Sequence, residues 1–140
     1  METRNGEIIV AVKGMVRRED GRILIVQRSA DDPIGPGTFE FPGGKIDFGE
    51  SPESALIREV REETGLIVAI DQLLYLTSFL THPHRQVLVI AYLCHPVGGS
   101  LHLSFEHQSG LWASRCEAEE KLTPAILSDL KKHQALDLVG

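Results

Sequence analysis

Cysteine is scarce: only Cys94 and Cys116 occur among the 140 residues, far apart and each without a neighbouring thiol. A disulfide framework or a cysteine-rich metal knuckle is thereby excluded, and two isolated thiols fit a reducing compartment. Long apolar runs are missing too. The longest, Val87 to Cys94, spans eight residues, whereas a membrane helix needs about 20. The first residues, Met1 to Glu7, carry no basic start followed by an apolar stretch, so no secretory signal is expected and a cytoplasmic location is. Positive charge is in deficit, with 14 Lys plus Arg against 20 Asp plus Glu and a net charge of −6. A protein that coats nucleic acid draws on many cationic phosphate contacts, so polymeric nucleic acid is not an expected partner. A small anionic ligand fits if metal ions supply the positive charge.

What remains is the composition of a globular domain, 42% apolar and 24% charged, long enough to bury a core without disulfides or a structural metal. Repeats, low-complexity tracts and linker-like shifts are lacking, so residues 1–140 read as one domain. Glu7 to Arg17 is rich in β-formers, Glu19-Asp20-Gly21 is a turn, and Arg22 to Arg28 returns, which predicts an antiparallel pair. From Ala30 to Gly49, proline and glycine mark a long irregular loop broken by Phe39 to Phe41. Ser51 as N-cap, Pro52 in the first turn and Gly65 as a left-handed terminator predict a helix over Ser51 to Thr64. Leu66 to Leu80 and Arg85 to Pro96 read as strands flanking His82-Pro83-His84. Gly110 to Ser114 reads as a short strand and Pro124 to Gln134 as a helix with Leu127 and Leu130 on one face.

The helix over Ser51 to Thr64 breaks its own rules. Leu56, Ile57 and Val60 form a core-facing arc, while Glu59, Glu62 and Glu63 crowd the next one together with Ala55. Carboxylates at such spacing repel one another, and two of them lie at the negative end of the helix dipole. A solvated face with Arg58 paired to Glu62 is one explanation. The other is a hard cation, since Mg²⁺ takes oxygen ligands and keeps waters for a phosphate-bearing substrate.

The wider spacing decides between them. Gly44-x5-Glu50-x7-Arg58-Glu59-Val60-x-Glu62-Glu63-x-Gly65-Leu66 reproduces every specified position of the Nudix hydrolase signature, a coincidence expected on the order of once in ten million sequences or less. The preceding Glu40-Phe41-Pro42-Gly43-Gly44-Lys45-Ile46 resembles the MutT branch of that family. The resemblance implies an α/β fold, a Nudix-type α/β/α sandwich with a mixed sheet between helices. It further implies metal-dependent hydrolysis of a pyrophosphate linkage in a nucleoside diphosphate linked to another group. Mg²⁺ or Mn²⁺ is the implied cofactor and a small nucleotide the implied partner, with the protein a monomer or homodimer.

By the same resemblance Glu59, Glu62 and Glu63 are metal ligands, joined by a backbone carbonyl of Gly43 or Gly44, and Arg58 orients the glutamates. Glu59 or a loop acid removes the proton from water. Glu106, before Trp112, is either a further ligand or base or an ordinary loop carboxylate. Arg28 and Lys45 are candidate phosphate contacts, and Phe41 a candidate substrate contact. A nucleoside or deoxynucleoside triphosphate is the expected substrate, with ADP-ribose or a nucleotide sugar as the alternative and a non-catalytic nucleotide-binding module as an alternative of another class. The MutT branch reads its oxidised guanine partly through a late asparagine, and the sole asparagine here is Asn5. The proline that marks ADP-ribose enzymes and the tyrosine that marks dinucleoside polyphosphate enzymes are not at their usual distances either.

Other residues read more simply. His82 and His84, split by Pro83, suggest exposed imidazoles in a turn rather than a zinc pair. Trp112 suggests core packing, and Cys94 a small buried hydrophobe.

Overall fold

A computed structural model describes residues 5–33, 35–104 and 107–140. Seven strands and three helices follow one another as β1 (Glu7–Val16), β2 (Ile23–Arg28), β3 (Phe39–Glu40), β4 (Gly43–Lys45), α1 (Pro52–Thr64), β5 (Leu66–His82), β6 (Arg85–Gly99), β7 (His107–Ala113), α2 (Arg115–Lys121) and α3 (Pro124–Lys132), with a 3₁₀ turn at Leu136–Leu138. They build two sheets. The first has the order β4-β1-β6-β5 and is mixed, because β1 runs parallel to β6 and antiparallel to β4. The second, β3-β2-β7, is antiparallel throughout. None of the helices is long and apolar enough to cross a membrane among the described residues.

Layering follows from the alternation of side chains along each strand. On β2, Leu24 and Val26 join Val12, Val16, Leu56 and Val60 beneath α1, whereas Ile23 and Ile25 join Met15, Leu93, Ala118 and Leu130 beneath α2 and α3. Helices therefore cover opposite faces of the sheets, as an α/β/α sandwich requires. All four of these β2 residues are fully buried, each worth about 1.5–3 kcal/mol of transfer energy.

One expectation fails. β1 and β2 are not an antiparallel ladder: the turn forms, with Arg18 N–H donating to the Arg22 carbonyl at 2.8 Å, but only an isolated bridge joins Arg17 to Ile23. Beyond it both edges of β1 are occupied by β4 and β6, and both edges of β2 by β3 and β7. The two strands diverge into different sheets, and a cleft opens between them.

The other elements match the sequence more closely. α1 has Ser51 as its cap, the hydroxyl accepting from Ser54 N–H at 3.2 Å, and ends at Gly65 with φ 78°. His82 and His84 are exposed at the β5–β6 turn, and Cys94 is buried. Trp112 packs against the core beneath α1, with the Arg18 guanidinium 4.9 Å above its ring. Ile57, expected in the core, is instead 36% exposed, because the arc buried by α1 is narrower and centres on Ala55, Leu56 and Val60. β4 and α2 were not expected as elements.

Candidate active site

A cavity of about 540 Å³ lies where the two sheets diverge. The burial of Leu56 and Val60 sets the rotation of α1 and turns Glu59 and Glu63 towards β4. Glu63, 7% exposed, accepts a hydrogen bond from Gly43 N–H at 3.1 Å. Burial drives its carboxyl up to about 7, against the opposing pull of Lys13 and the Gly43 amide. Glu59 presses on the next residue, such that a Cβ on Gly44 would sit 2.5 Å from its carboxylate. Gly43 adopts φ 152°, and a Cβ there would collide with the Val12 carbonyl. Both glycines are thus needed, the first for backbone shape and contact with β1, the second for clearance of Glu59.

Arg58 organises the rim. Its Nε and Nη2 fork onto Glu50 at 2.7 and 2.8 Å, while Nη1 donates to Glu59 at 3.0 Å and Glu62 at 3.2 Å. Nη2 also reaches the Lys45 carbonyl at 3.3 Å. The hydrogen bonds from Arg58 and from Asp47 N–H hold the Glu50 carboxyl down at about 2. Glu62 differs from its two neighbours: its side chain is 60% exposed and does not line the cavity.

Of the residues singled out in the sequence, Arg28, Lys45, Gly43, Gly44, Glu59 and Glu63 all line this cavity. Phe41 does not. It is buried in the core with Met15 and Ile25, because successive residues of this segment face opposite ways and the cavity receives Glu40. Glu106 lies outside the described residues.

Lys13, Glu40 and His107, which the sequence did not single out, meet at the charged end of the cavity. Glu40 accepts from Lys13 Nζ at 3.1 Å, from Arg28 Nη2 at 3.1 Å and, through its other oxygen, from His107 Nε2 at 3.0 Å. Burial by itself would raise its carboxyl, yet the Lys13 charge, the His107 hydrogen bond and Arg28 overcome this and hold it at about 2. The signal was faint: Lys13 is the sole charge inside an apolar stretch from Ile8 to Val16, and Glu40 sits between two phenylalanines.

Away from these charges the cavity turns apolar. Ile9 and Ala11 from β1, Val87 and Val89 from β6 and Phe79 from β5 line it, with Thr81 and Arg85 as polar groups. One end can thus cradle a flat apolar body and the other can hold anionic oxygens. Glu59, Glu63 and the Gly43-Gly44 backbone are hard oxygen donors, of the kind and number that Mg²⁺ uses when it shares its shell with water and substrate phosphates. Among the described residues, no three His, Cys, Asp or Glu side chains converge as a complete protein cage would require.

This arrangement of loop, helix and paired carboxylates has relatives. A NUDIX domain matches residues 8–132. The chain belongs to the Nudix family. It is 38% identical over 131 residues to a MutT-like protein of Streptomyces ambofaciens, a match covering 94% of this chain and 79% of that one. It is 37% identical over 109 residues to the 8-oxo-dGTP diphosphatase of Haemophilus influenzae, covering 78% of each. A MutT protein from Methanosarcina mazei Go1 superposes with a TM-score of 0.82 at 24% identity, covering 97% of this chain and 99% of that one, a likeness in fold. The resemblance to the MutT branch is thereby borne out.

Proposed function

We propose that this Nudix pyrophosphohydrolase cleaves a phosphoanhydride bond of a nucleoside or deoxynucleoside triphosphate from the cytoplasmic nucleotide pool. The observation that carries the reading is the two-ended cavity, apolar along Ile9, Ala11 and Val89 and charged along Arg28, Lys45, Glu59 and Glu63. The Haemophilus influenzae relative named for 8-oxo-dGTP supports a triphosphate. Two cysteines without a disulfide, Cys94 buried and Cys116 exposed, suit a reducing compartment.

In this reading Glu59, Glu63 and the Gly43 carbonyl would hold Mg²⁺ or Mn²⁺, with Glu62 at the exposed rim as a further candidate ligand. When bound, the cation neutralises charge developing on the phosphates and makes water a better nucleophile. Arg58 keeps Glu59 and Glu50 in register with the Lys45 carbonyl through its forked donors. Arg28 and Lys45 face the phosphates, Arg28 held in place by Asp32 and Glu40. Glu59 or Glu106 takes the proton from water. Glu63 remains on the Gly43 amide, where its oxygens are fixed relative to the glycine backbone.

A panel of nucleotides that includes deoxynucleoside triphosphates, CTP and ADP-ribose, incubated with Mg²⁺ and resolved by chromatography, tests this directly. Release of a nucleoside monophosphate from triphosphates ahead of ADP-ribose is the expected result, and cleavage of ADP-ribose alone overturns the substrate class.

Metal should also act without substrate. Mg²⁺ or Mn²⁺ at about a hundred times its dissociation constant stabilises the folded chain by about 2.7 kcal/mol, which at this chain length is roughly 5–10 °C in thermal midpoint. Glu59→Gln should shrink that shift. A wild-type midpoint that millimolar metal does not move would show that metal binding requires the substrate's phosphates.

A further inference from the structure

Lys13 stands at the junction between the two ends of the cavity. Ile9, Ala11 and Lys13 alternate along β1, so they share one face, and all three line the cavity. The first two belong to its apolar floor, and the third opens its charged end. A lysine in a strand paired on both edges is uncommon, and this one's side chain is only 23% exposed.

The geometry fixes where its protons go. An ammonium carries three N–H donors. Two have acceptors, Glu40 Oε1 at 3.1 Å and the Phe41 carbonyl at 3.3 Å. No third acceptor is seen among the described residues, and the residue borders the cavity. Glu40 is in the opposite condition. Lys13 and Arg28 occupy one of its oxygens, while His107 and, at 3.1 Å, Arg28 Nε occupy the other. Its charge is met by Lys13 and Arg28 together, with a hydrogen bond from the His107 ring. What Glu40 supplies in return is an anchor that aims the ammonium. The register adds the location, because Lys13 is paired with Gly43, whose N–H carries the Glu63 carboxylate.

We propose that Lys13 donates its remaining hydrogen bond to an oxygen of the bound nucleotide, a base carbonyl or a phosphate, and so helps determine specificity. The inference rests on the nucleotide reading above. If the oxygen belongs to the base, the cavity favours guanine, cytosine or uracil over adenine, which presents no carbonyl.

Calorimetric titration of the wild type and Lys13→Met with GMP, AMP and inorganic pyrophosphate, each with Mg²⁺, separates the cases. Lys13→Met should lose about tenfold in affinity, the effect expected of a hydrogen bond from a charged donor. A base carbonyl is indicated when GMP loses affinity while AMP and pyrophosphate stay within about twofold. A phosphate is indicated when all three weaken together and the midpoint of the ligand-free variant holds. Lys13→Gln keeps an N–H donor without the charge and should recover part of the loss. It also carries the comparison should the Met variant fold poorly. Affinities unchanged for all three ligands overturn the proposal, as does a loss for all three that comes with a collapsed midpoint in both variants. A wild-type protein that binds none of them overturns the nucleotide reading itself, a different failure.

Discussion

Glu63→Gln is expected to stabilise the metal-free protein at neutral pH while lowering turnover by at least about a thousandfold. The two effects share one cause. Burial lifts the folded-state carboxyl from 4.5 to about 7, so the native state binds more protons than the unfolded chain between those values. Stability therefore falls as pH rises from about 4.5 to about 7 and is level above that. The whole penalty is about 3 kcal/mol for the ionised group. Glutamine keeps an oxygen for the Gly43 amide and carries no charge, so the variant's midpoint should not fall across that window and should exceed the wild type's above it. Thermal melts in chelator from pH 4 to 8 check the first effect, and a wild-type slope retained by the variant would refute the charge argument. Kinetics at saturating metal check the second, and near-normal turnover would remove Glu63 from the metal-holding set.

Arg58→Lys should lose about a hundredfold in kcat with a midpoint within a few degrees of the wild type. Were Arg58 only the surface partner of Glu62, lysine would preserve the pair and cost at most about half a kcal/mol. Its guanidinium instead grips Glu50 with two prongs at 2.7 and 2.8 Å while a third nitrogen divides between Glu59 and Glu62. An ammonium is a point donor and cannot reproduce that planar fork. Glu59 would then drift, and misplacement of a catalytic group by about 1 Å costs on the order of a hundredfold. Glu50 would report the same event, because its carboxyl is held at about 2 chiefly by the Arg58 hydrogen bond. Steady-state kinetics indistinguishable from the wild type would return Arg58 to the solvated face.

How far the sequence discloses all this depends on the distance over which each feature is encoded. α1 is written locally, in Ser51, Pro52 and Gly65, and its limits are recovered to within one residue. The Glu19-Asp20-Gly21 turn is local as well and does reverse the chain, but no local signal says which edges of β1 and β2 are already taken. That information lies in β4, β6, β3 and β7. β4 is hidden for a related reason, since Gly43 and Gly44 have little strand propensity and become a strand by pairing with Val12 and Lys13. α2 could have been read, as Ser114 and Glu117 form a complete capping box. The signature locates Glu59 and Glu63, whereas the cluster around Glu40 gathers Lys13, Arg28 and His107 from three other strands. Only the tertiary fold makes them neighbours.

The parallel pairing of β1 with β6, which sets Glu7 beside Arg85, also orders events in time. β5 and β6 are joined across Pro83 and His84 and can zip together as a hairpin within microseconds. β1 meets β6 only after the whole intervening chain, signature helix included, has been gathered into a closed loop, and that entropy must be met before the contacts reward it. The cavity takes its floor from both strands. A nascent chain therefore holds every residue of the signature before it has anywhere to place a nucleotide, and competence for catalysis arrives with one of the slowest contacts of folding.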